Sequence, residues 1–250
     1  MFRILIFCLW VLLLCACKSV PIQQVADVDV TYLNTESSIA VDETSKIESI
    51  IKPYRDELSE EMNHVIGVMP EELKKEKPNS NMGNWFSDIL QDIAAENYNK
   101  PIAFAIQNYG GLRVPSVAKG PLTRGKIFEL MPFDNKLVIL ELTGAQVNKL
   151  VNLIARSRGW PISRGLSLTI TNDFSATDVK IDGQLIDETK SYPIALPDYV
   201  ANGGGGGEFL KDIPQHDTGY YIREGVIEYL ERLQGEGKSI TVDNTQRIKN

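Results

Sequence analysis

A chain of 250 residues, 43% hydrophobic and 24% charged, holds enough apolar material for a core. Disorder and coiled coil are excluded as descriptions of its bulk. Lys and Arg number 26 against 33 Asp and Glu, and a net charge of −7 excludes the basic surface of a general nucleic-acid binder. Two His and three Cys leave little material for a soft metal site.

In chain order, Met1–Phe2–Arg3 is a short basic start and residues 4–16 are almost wholly apolar. That run is shorter than the ~20 residues a membrane span needs and reads as a secretory leader. Leu14–Cys15–Ala16–Cys17 resembles a bacterial lipobox, which implies a signal peptide over 1–16, cleavage before Cys17 and lipidation of its thiol. The other reading is an ordinary signal peptide with a chance cysteine. Cleavage also removes Cys8 and Cys15, so no disulfide is expected although the compartment permits one. Residues 17–27 are polar and aperiodic and read as a tether. Residues 28–250 read as one domain, with no internal repeat and no low-complexity run except Gly203–Gly207.

Ile47, Ile50, Ile51, Tyr54, Leu58 and Met62 recur at helical spacing. Ser45 and Glu48 can form a capping box, and Pro53 should kink or split the helix. Met82 to Ala94 carries a second, wider apolar stripe. Residues 102–106 form a continuous apolar run, as in a strand covered on both faces. Strands are expected at 137–142, 166–170, 192–196 and 240–242. A hairpin over 179–186 should turn at Asp182–Gly183. Thr143 can cap a helix through Ile154, and Val226 to Leu233 marks a last helix. His64 reads as a surface residue. His216–Asp217 reads as part of a turn, with the Asp capping and the His supporting a carbonyl. The pattern is α/β to α+β, a single domain with a mixed β-sheet flanked by helices.

No G-x-S-x-G elbow and no P-loop lysine is present. With Cys17 expected to carry the lipid, cysteine-nucleophile chemistry is excluded, and no catalytic residue and no metal ligand is expected in this chain. Three segments look like ligand-binding loops. In Asn108–Tyr109–Gly110–Gly111–Leu112–Arg113, the glycines permit close backbone approach, Arg113 offers a fork for phosphate or carboxylate, and Asn108 offers donor and acceptor. Alternatively this is a tight turn with a surface Arg. In Met131–Pro132–Phe133–Asp134–Asn135, a stiffened loop presents Phe133 for stacking, or Phe133 packs in the core. In Asp198–Tyr199–Val200–Ala201–Asn202 with the five following glycines, Tyr199 can supply a second aromatic face. The glycines there make an anion cradle or a mobile turn.

Taken in order, Asn108 to Arg113, Gly120-Pro-Leu-Thr123, Met131-Pro-Phe133, Leu142-Thr-Gly144 and Tyr199 to Gly204 resemble the C-terminal domain of 5′-nucleotidases. Lys52 to Asp56 and Asn81-Met-Gly-Asn84 stand in the same order as in that family. The resemblance covers most of residues 28–250. It implies a domain that binds the nucleotide while a separate metallophosphatase domain hydrolyses it. Asn108, Gly110, Gly111, Arg113, Phe133, Tyr199 and Asn202 would form the binding site, with Phe133 and Tyr199 clamping the base. Where the family carries Asp after Asn-Gly-Gly to hold the ribose hydroxyls, this chain has Gly205. Where the family places an aromatic two residues later it has Gly207, and where it often has Arg ahead of Asn81 it has Lys77-Pro-Asn-Ser.

No D-x-H, G-N-H-[DE] or G-H-x-H metal motif occurs. No cofactor is therefore expected in this chain, and divalent metals only on a partner domain. The expected function is the lipid-anchored, nucleotide-binding half of a 5′-nucleotidase-type hydrolase. Its partners would be a nucleotide or nucleoside, a separately encoded metallophosphatase, and a membrane of the bacterial cell envelope through the lipid, with no nucleic acid. The alternatives are a lipoprotein that captures nucleosides or other small ligands without turnover, and a scaffold whose pocket has decayed.

Overall fold

A computed structural model describes residues 44–250, with side chains from residue 47 onward. The signal peptide, Cys17, the tether and the side chain of Ser45 lie outside the described residues. The chain divides into two units, Met1–Glu48 and Ser49–Asn250, and every element after α1 belongs to the second.

Helix α1 (Thr44–Met62) runs unbroken through Pro53, so the proline does not split it. The proline removes one N–H donor and leaves the rungs on either side to carry the helix. Its apolar stripe is on the surface: Ile47, Ile50, Ile51, Tyr54 and Leu58 are all exposed. Strands β1 (Val65–Met69) and β2 (Leu73–Lys74) follow. Helix α2 (Asn81–Glu96) starts at Ser80, whose hydroxyl accepts from the Gly83 N–H at 2.9 Å. Next come β3 (Phe104–Ala105), β4 (Ser116–Val117), β5 (Gly120–Thr123) and α3 (Arg124–Leu130). Strand β6 (Lys136–Thr143) leads into α4 (Gly144–Arg156), where Thr143 and Gln146 form a capping box. Strands β7 (Leu166–Ile170), β8 (Ala176–Ile181), β9 (Gln184–Leu185) and β10 (Ser191–Pro197) precede the single turn α5 (Asp198–Ala201). Strand β11 (Gln215–Tyr221), α6 (Ile222–Gly235) and β12 (Ile248–Lys249) complete the chain.

The expected mixed sheet is present in the order β11-β6-β10-β3, with β10 and β3 parallel and the other pairs antiparallel. A second mixed sheet runs β12-β7-β8-β9, and two ribbons pair β1 with β5 and β2 with β4. In the first sheet, alternate residues face opposite ways. Leu137, Ile139, Ala195 and Ala105 join an apolar cluster built with α2, α3 and α6. Val138, Leu140, Ile194, Leu196 and Phe104 join another built with α4 and the second sheet. Burial on both faces is why these strands read as continuous apolar runs. The β8–β9 hairpin turns at Asp182 and Gly183, at φ 49° and 76°, the mirror-image geometry that a two-residue loop favours.

Two further expectations differ. Residues 240–242 form no strand: Ile240 is a buried plug whose Cδ1 lies 2.7 Å from where a Cβ on Gly67 would sit. His216 lies in strand β11 rather than in a turn, its ring edge-on to Tyr98 at 5.0 Å and its Nε2 3.4 Å from the Asn97 carbonyl. Asp217 does cap, accepting from the Gly219 N–H at 2.8 Å, and also pairs with Lys136. His64 is exposed.

Candidate functional site

Parallel β3 and β10 end on the same edge of the sheet, and antiparallel β6 begins there, with Pro197 opposite Leu137. The three loops singled out in the sequence leave from those strand ends. Ligands collect at the carboxyl ends of parallel strands because loops converge there without blocking one another. A cleft of about 320 Å³ opens at this edge, lined by Asn108, Gly110, Gly111, Arg113, Phe133, Asn135 and Tyr199. Six of the seven anticipated residues are therefore in one place.

After β3, the chain makes a 3-10 turn over Tyr109–Gly111, closed by the Gly111 N–H on the Asn108 carbonyl at 2.9 Å. The two glycines have different reasons. A Cβ on Gly111 would lie 2.2 Å from Gln107 Nε2, so a side chain there would displace a fully buried glutamine. Gly110 is open to the cleft. Asn108 Oδ1 is buried and accepts no hydrogen bond from the protein, so an acceptor stands unused at the cleft wall. The Arg113 N–H donates to the Leu130 carbonyl at 2.8 Å, which ties this loop to the end of α3. The Arg113 guanidinium is 5.8 Å from the Phe133 ring centre and forms no ion pair among the described residues.

The Phe133 loop is held by a residue that the sequence reading missed. Arg223, on α6, donates to the Phe133 carbonyl at 3.4 Å and pairs with Asp134 at 2.7 Å. Its guanidinium also lies 4.4 Å from the Phe128 ring centre. The Ile222 N–H anchors Asn135 from the same helix at 2.8 Å. No local pattern marks Arg223, because it meets this loop 90 residues away in sequence.

Tyr199 rests on the glycine run. A Cβ on Gly204 would lie 2.4 Å from its ring. Gly207 is buried, and its Cβ would meet the Val200 carbonyl at 2.6 Å. Gly205, at φ 64°, abuts Trp160, and Gly206 abuts Leu153. The run is thus a closely packed pair of 3-10 turns that seats the tyrosine. Asn202 does not line the cleft. Its side-chain oxygen accepts from Gln215 at 3.0 Å and its N–H closes α5 on the Asp198 carbonyl.

The positive charge near the cleft exceeds what Arg113 alone supplies. Lys75 and Lys77 place their ammonium groups 4.0 and 4.3 Å from the centre of the Tyr109 ring. Lys75 donates to the Leu112 carbonyl at 2.7 Å and Lys77 to the Ser157 carbonyl. Neither forms an ion pair among the described residues. Burial, then the charges of Arg113 and Lys77, hold the Lys75 ammonium below the usual lysine value; burial and Arg158 do the same to Lys77. The sequence showed Lys77 only as a departure from an expected Arg.

Among the described residues, no group of three or more His, Cys, Asp or Glu is placed to hold a metal ion. Among them also, no helix is long and apolar enough to cross a membrane.

The 5′-nucleotidase, C-terminal domain family model matches residues 65–212. The chain belongs to that family. It is 27% identical to the trifunctional nucleotide phosphoesterase protein YfkN of Bacillus subtilis, over 83% of this chain and 15% of that protein. It is also 27% identical to the 5′-nucleotidase of Vibrio vulnificus, over 77% of this chain and 35% of that protein. The crystal structure of a 5′-nucleotidase precursor from Thermus thermophilus superposes with a TM-score of 0.69 at 27% identity. That match covers 81% of this chain and 42% of the Thermus chain. The chain spans less than half the length of each of these relatives.

Proposed function

We propose that this domain binds a nucleotide in the cleft at the ends of β3, β6 and β10 and presents its phosphate to a separate metallophosphatase. The observation that carries this reading is the meeting of two exposed rings, Phe133 and Tyr199, with the Arg113 guanidinium in one cleft. Flat apolar faces suit a base and the fork suits a phosphate oxygen pair. The unused Asn108 Oδ1 suits an N–H or hydroxyl donor on the ligand, and Lys75 adds charge behind Arg113. Membership of the 5′-nucleotidase C-terminal domain family, and the nucleotide chemistry in its relatives' names, support the same assignment. In this reading Cys17 carries lipid after removal of residues 1–16, and the domain works on a membrane of the bacterial cell envelope.

The proposed role in hydrolysis rests on what the cleft offers. Its residues bind and orient; none is an activated nucleophile, and the described residues bring no metal-ligand set to it. The metals would come from the partner. The test is reconstitution. The purified chain, a lone metallophosphatase from the same source and their mixture are assayed with AMP and Mn²⁺. The mixture should hydrolyse AMP faster than the sum of its parts, and Arg113→Ala should remove the gain. Saturable AMP binding with no gain on mixing would select the binding lipoprotein instead. No binding at all would leave a scaffold.

Gly205, standing where the family carries Asp, bears on which ligands are held. Its left-handed backbone is one that Asp tolerates better than most residues, and a Cβ there would lie 3.3 Å from Trp160. Gly205→Asp should tighten binding of ribonucleotides and leave 2′,3′-dideoxynucleotides unchanged. Equal effects on both would show that this position does not face the ribose.

A further inference from the structure

A second cleft, of about 330 Å³, is lined by Lys77, Arg158, Thr171, Asn172, Phe174 and Asn250, with Pro78 and Ile170 behind them. It is as large as the ring-lined cleft, and nucleotide binding at the first cleft leaves it unused.

Four separate segments build it: Lys77–Pro78, the turn after α4, the β7–β8 turn and Asn250. Helix α4 ends at Arg156, and the turn beyond it closes with the Arg158 N–H on the Ala155 carbonyl and the Gly159 N–H on the Ile154 carbonyl, both at 2.9 Å. A Cβ on Gly159 would lie 2.3 Å from the Pro78 carbonyl oxygen, so only glycine lets this turn pack against the Lys77–Pro78 segment. Opposite, the β7–β8 turn is closed by the Phe174 N–H on the Thr171 carbonyl at 2.9 Å. The Asp173 carboxylate in that turn accepts from the hydroxyls of Thr171 and Ser175.

Two features set the cleft apart from an ordinary surface groove. Arg158 and Phe174 both have left-handed backbones, at φ 61° and 60°. Bulky side chains rarely adopt that conformation, and glycine would hold either turn at less cost. Strained side chains of this kind gather where a site needs them. Here they bring a guanidinium to 5.2 Å from an aromatic ring centre, with 41% of Phe174 exposed. The second feature is charge. Neither Lys77 nor Arg158 forms an ion pair among the described residues, and the nearby Asp173 is engaged within its own turn. The Lys77 ammonium feels Arg158 as an uncompensated like charge. Two unneutralised cations, a partly exposed ring and Asn172 line one space.

We propose that the Lys77–Arg158–Phe174 cleft is a second ligand site, for a planar aromatic anion whose ring stacks on Phe174 and whose phosphate or carboxylate meets Arg158 and Lys77. Lys77 borders both clefts, but this proposal does not rest on the nucleotide reading of the first, because it uses neither Phe133, Tyr199 nor Arg113.

The test is calorimetric titration of the full chain with phenylphosphonate, in an Arg113→Ala/Phe133→Ala/Tyr199→Ala background that removes the anion fork and both rings of the first cleft. Inorganic phosphate serves as the anion without a ring. Phe174→Gly should weaken phenylphosphonate about tenfold, the scale of one lost stack, and leave inorganic phosphate unchanged. Arg158→Gly should weaken both. Both variants should raise the thermal midpoint, because each relieves a left-handed backbone that glycine adopts freely; a ring or guanidinium kept for packing would lower it. Asn172→Asp, which alters no backbone, should weaken both anions by adding a negative charge. Unchanged phenylphosphonate affinity in Phe174→Gly and Asn172→Asp overturns the proposal. So does a thermal midpoint that falls in both glycine variants.

Discussion

Phe133 and Tyr199 are 36% and 48% exposed, so each ring contributes little to the core and is free to meet a ligand. Phe133→Ala or Tyr199→Ala should weaken a base-bearing ligand by ~1–3 kcal/mol with a small change in thermal midpoint, read by titration and by melting. A collapse of the midpoint in both would make them core residues. Tyr199 depends on Gly204, where an added Cβ would occupy the ring's own position. Gly204→Ala should therefore weaken binding about as much as Tyr199→Ala while leaving the tyrosine in the chain. The cations add a pH dependence. Lys75 and Lys77 lose their protons below the usual lysine value of 10.5. Anion affinity should be full at neutral pH and fall as pH rises through that depressed range. An affinity flat to pH 10.5 would show that neither ammonium meets the ligand.

At the scale of elements, the cleft is held by helices that do not line it. Helix α6 fixes the Phe133 loop through Arg223, bound to the Phe133 carbonyl and the Asp134 carboxylate. Arg223→Gln should weaken ligand binding by about 1 kcal/mol, and Arg223→Lys should recover part of the loss. Equal affinity in Arg223→Gln would mean that the loop holds its shape unaided. Strand β12 is tied down in a comparable way. Arg247, 3% exposed, makes two hydrogen bonds to Asp88 and a third to Asp243, all between 2.7 and 2.8 Å. Arg247→Ala should cost about 3 kcal/mol, since it leaves Asp88 with the Arg164 N–H and Asp243 with Thr245 but no buried countercharge for either. Burial alone would raise the Asp243 carboxyl, but hydrogen bonds from Thr245 and Arg247 prevail and hold it at about 2. A depressed carboxylate stabilises the fold above its unfolded value of 3.8, and that contribution is lost as pH falls toward 2. Asp243→Asn should lower stability at neutral pH by about 1 kcal/mol, screened by solvent, and flatten the acid limb of a melting-versus-pH curve.

For the whole molecule, function turns on where the chain is held and what it meets. If Cys17 is lipidated, Cys17→Ser should move the protein out of the membrane fraction or block processing. A mutant with wild-type mass and fractionation would end the lipid reading. Anchoring would also raise the local concentration of a co-anchored partner, which helps two halves that must share one phosphate.

The elements that form from local pattern were legible in the sequence. Helix α2 with its wide stripe, the Thr143 capping box, the Asp182–Gly183 hairpin and the doubly buried strands all arise within a few residues of chain. The three ligand loops were legible too, because glycines, a loop aromatic and an Arg announce themselves by type. Tertiary structure alone decided what those loops share. Parallel pairing of β3 with β10 brought Arg113, Phe133 and Tyr199 to one edge, and distant partners set Arg223, Lys75 and Lys77 around them. It also decided against local pattern. The stripe on α1 promised a buried face and lies exposed; Ile240 plugs a gap instead of pairing. The glycine run packs tightly because Trp160, Leu153 and Tyr199 lie against it. The physical reason is common to all of these: periodicity and turn chemistry are properties of neighbouring residues. Which surface a face meets, and which charges gather there, depends on chain segments tens of residues apart.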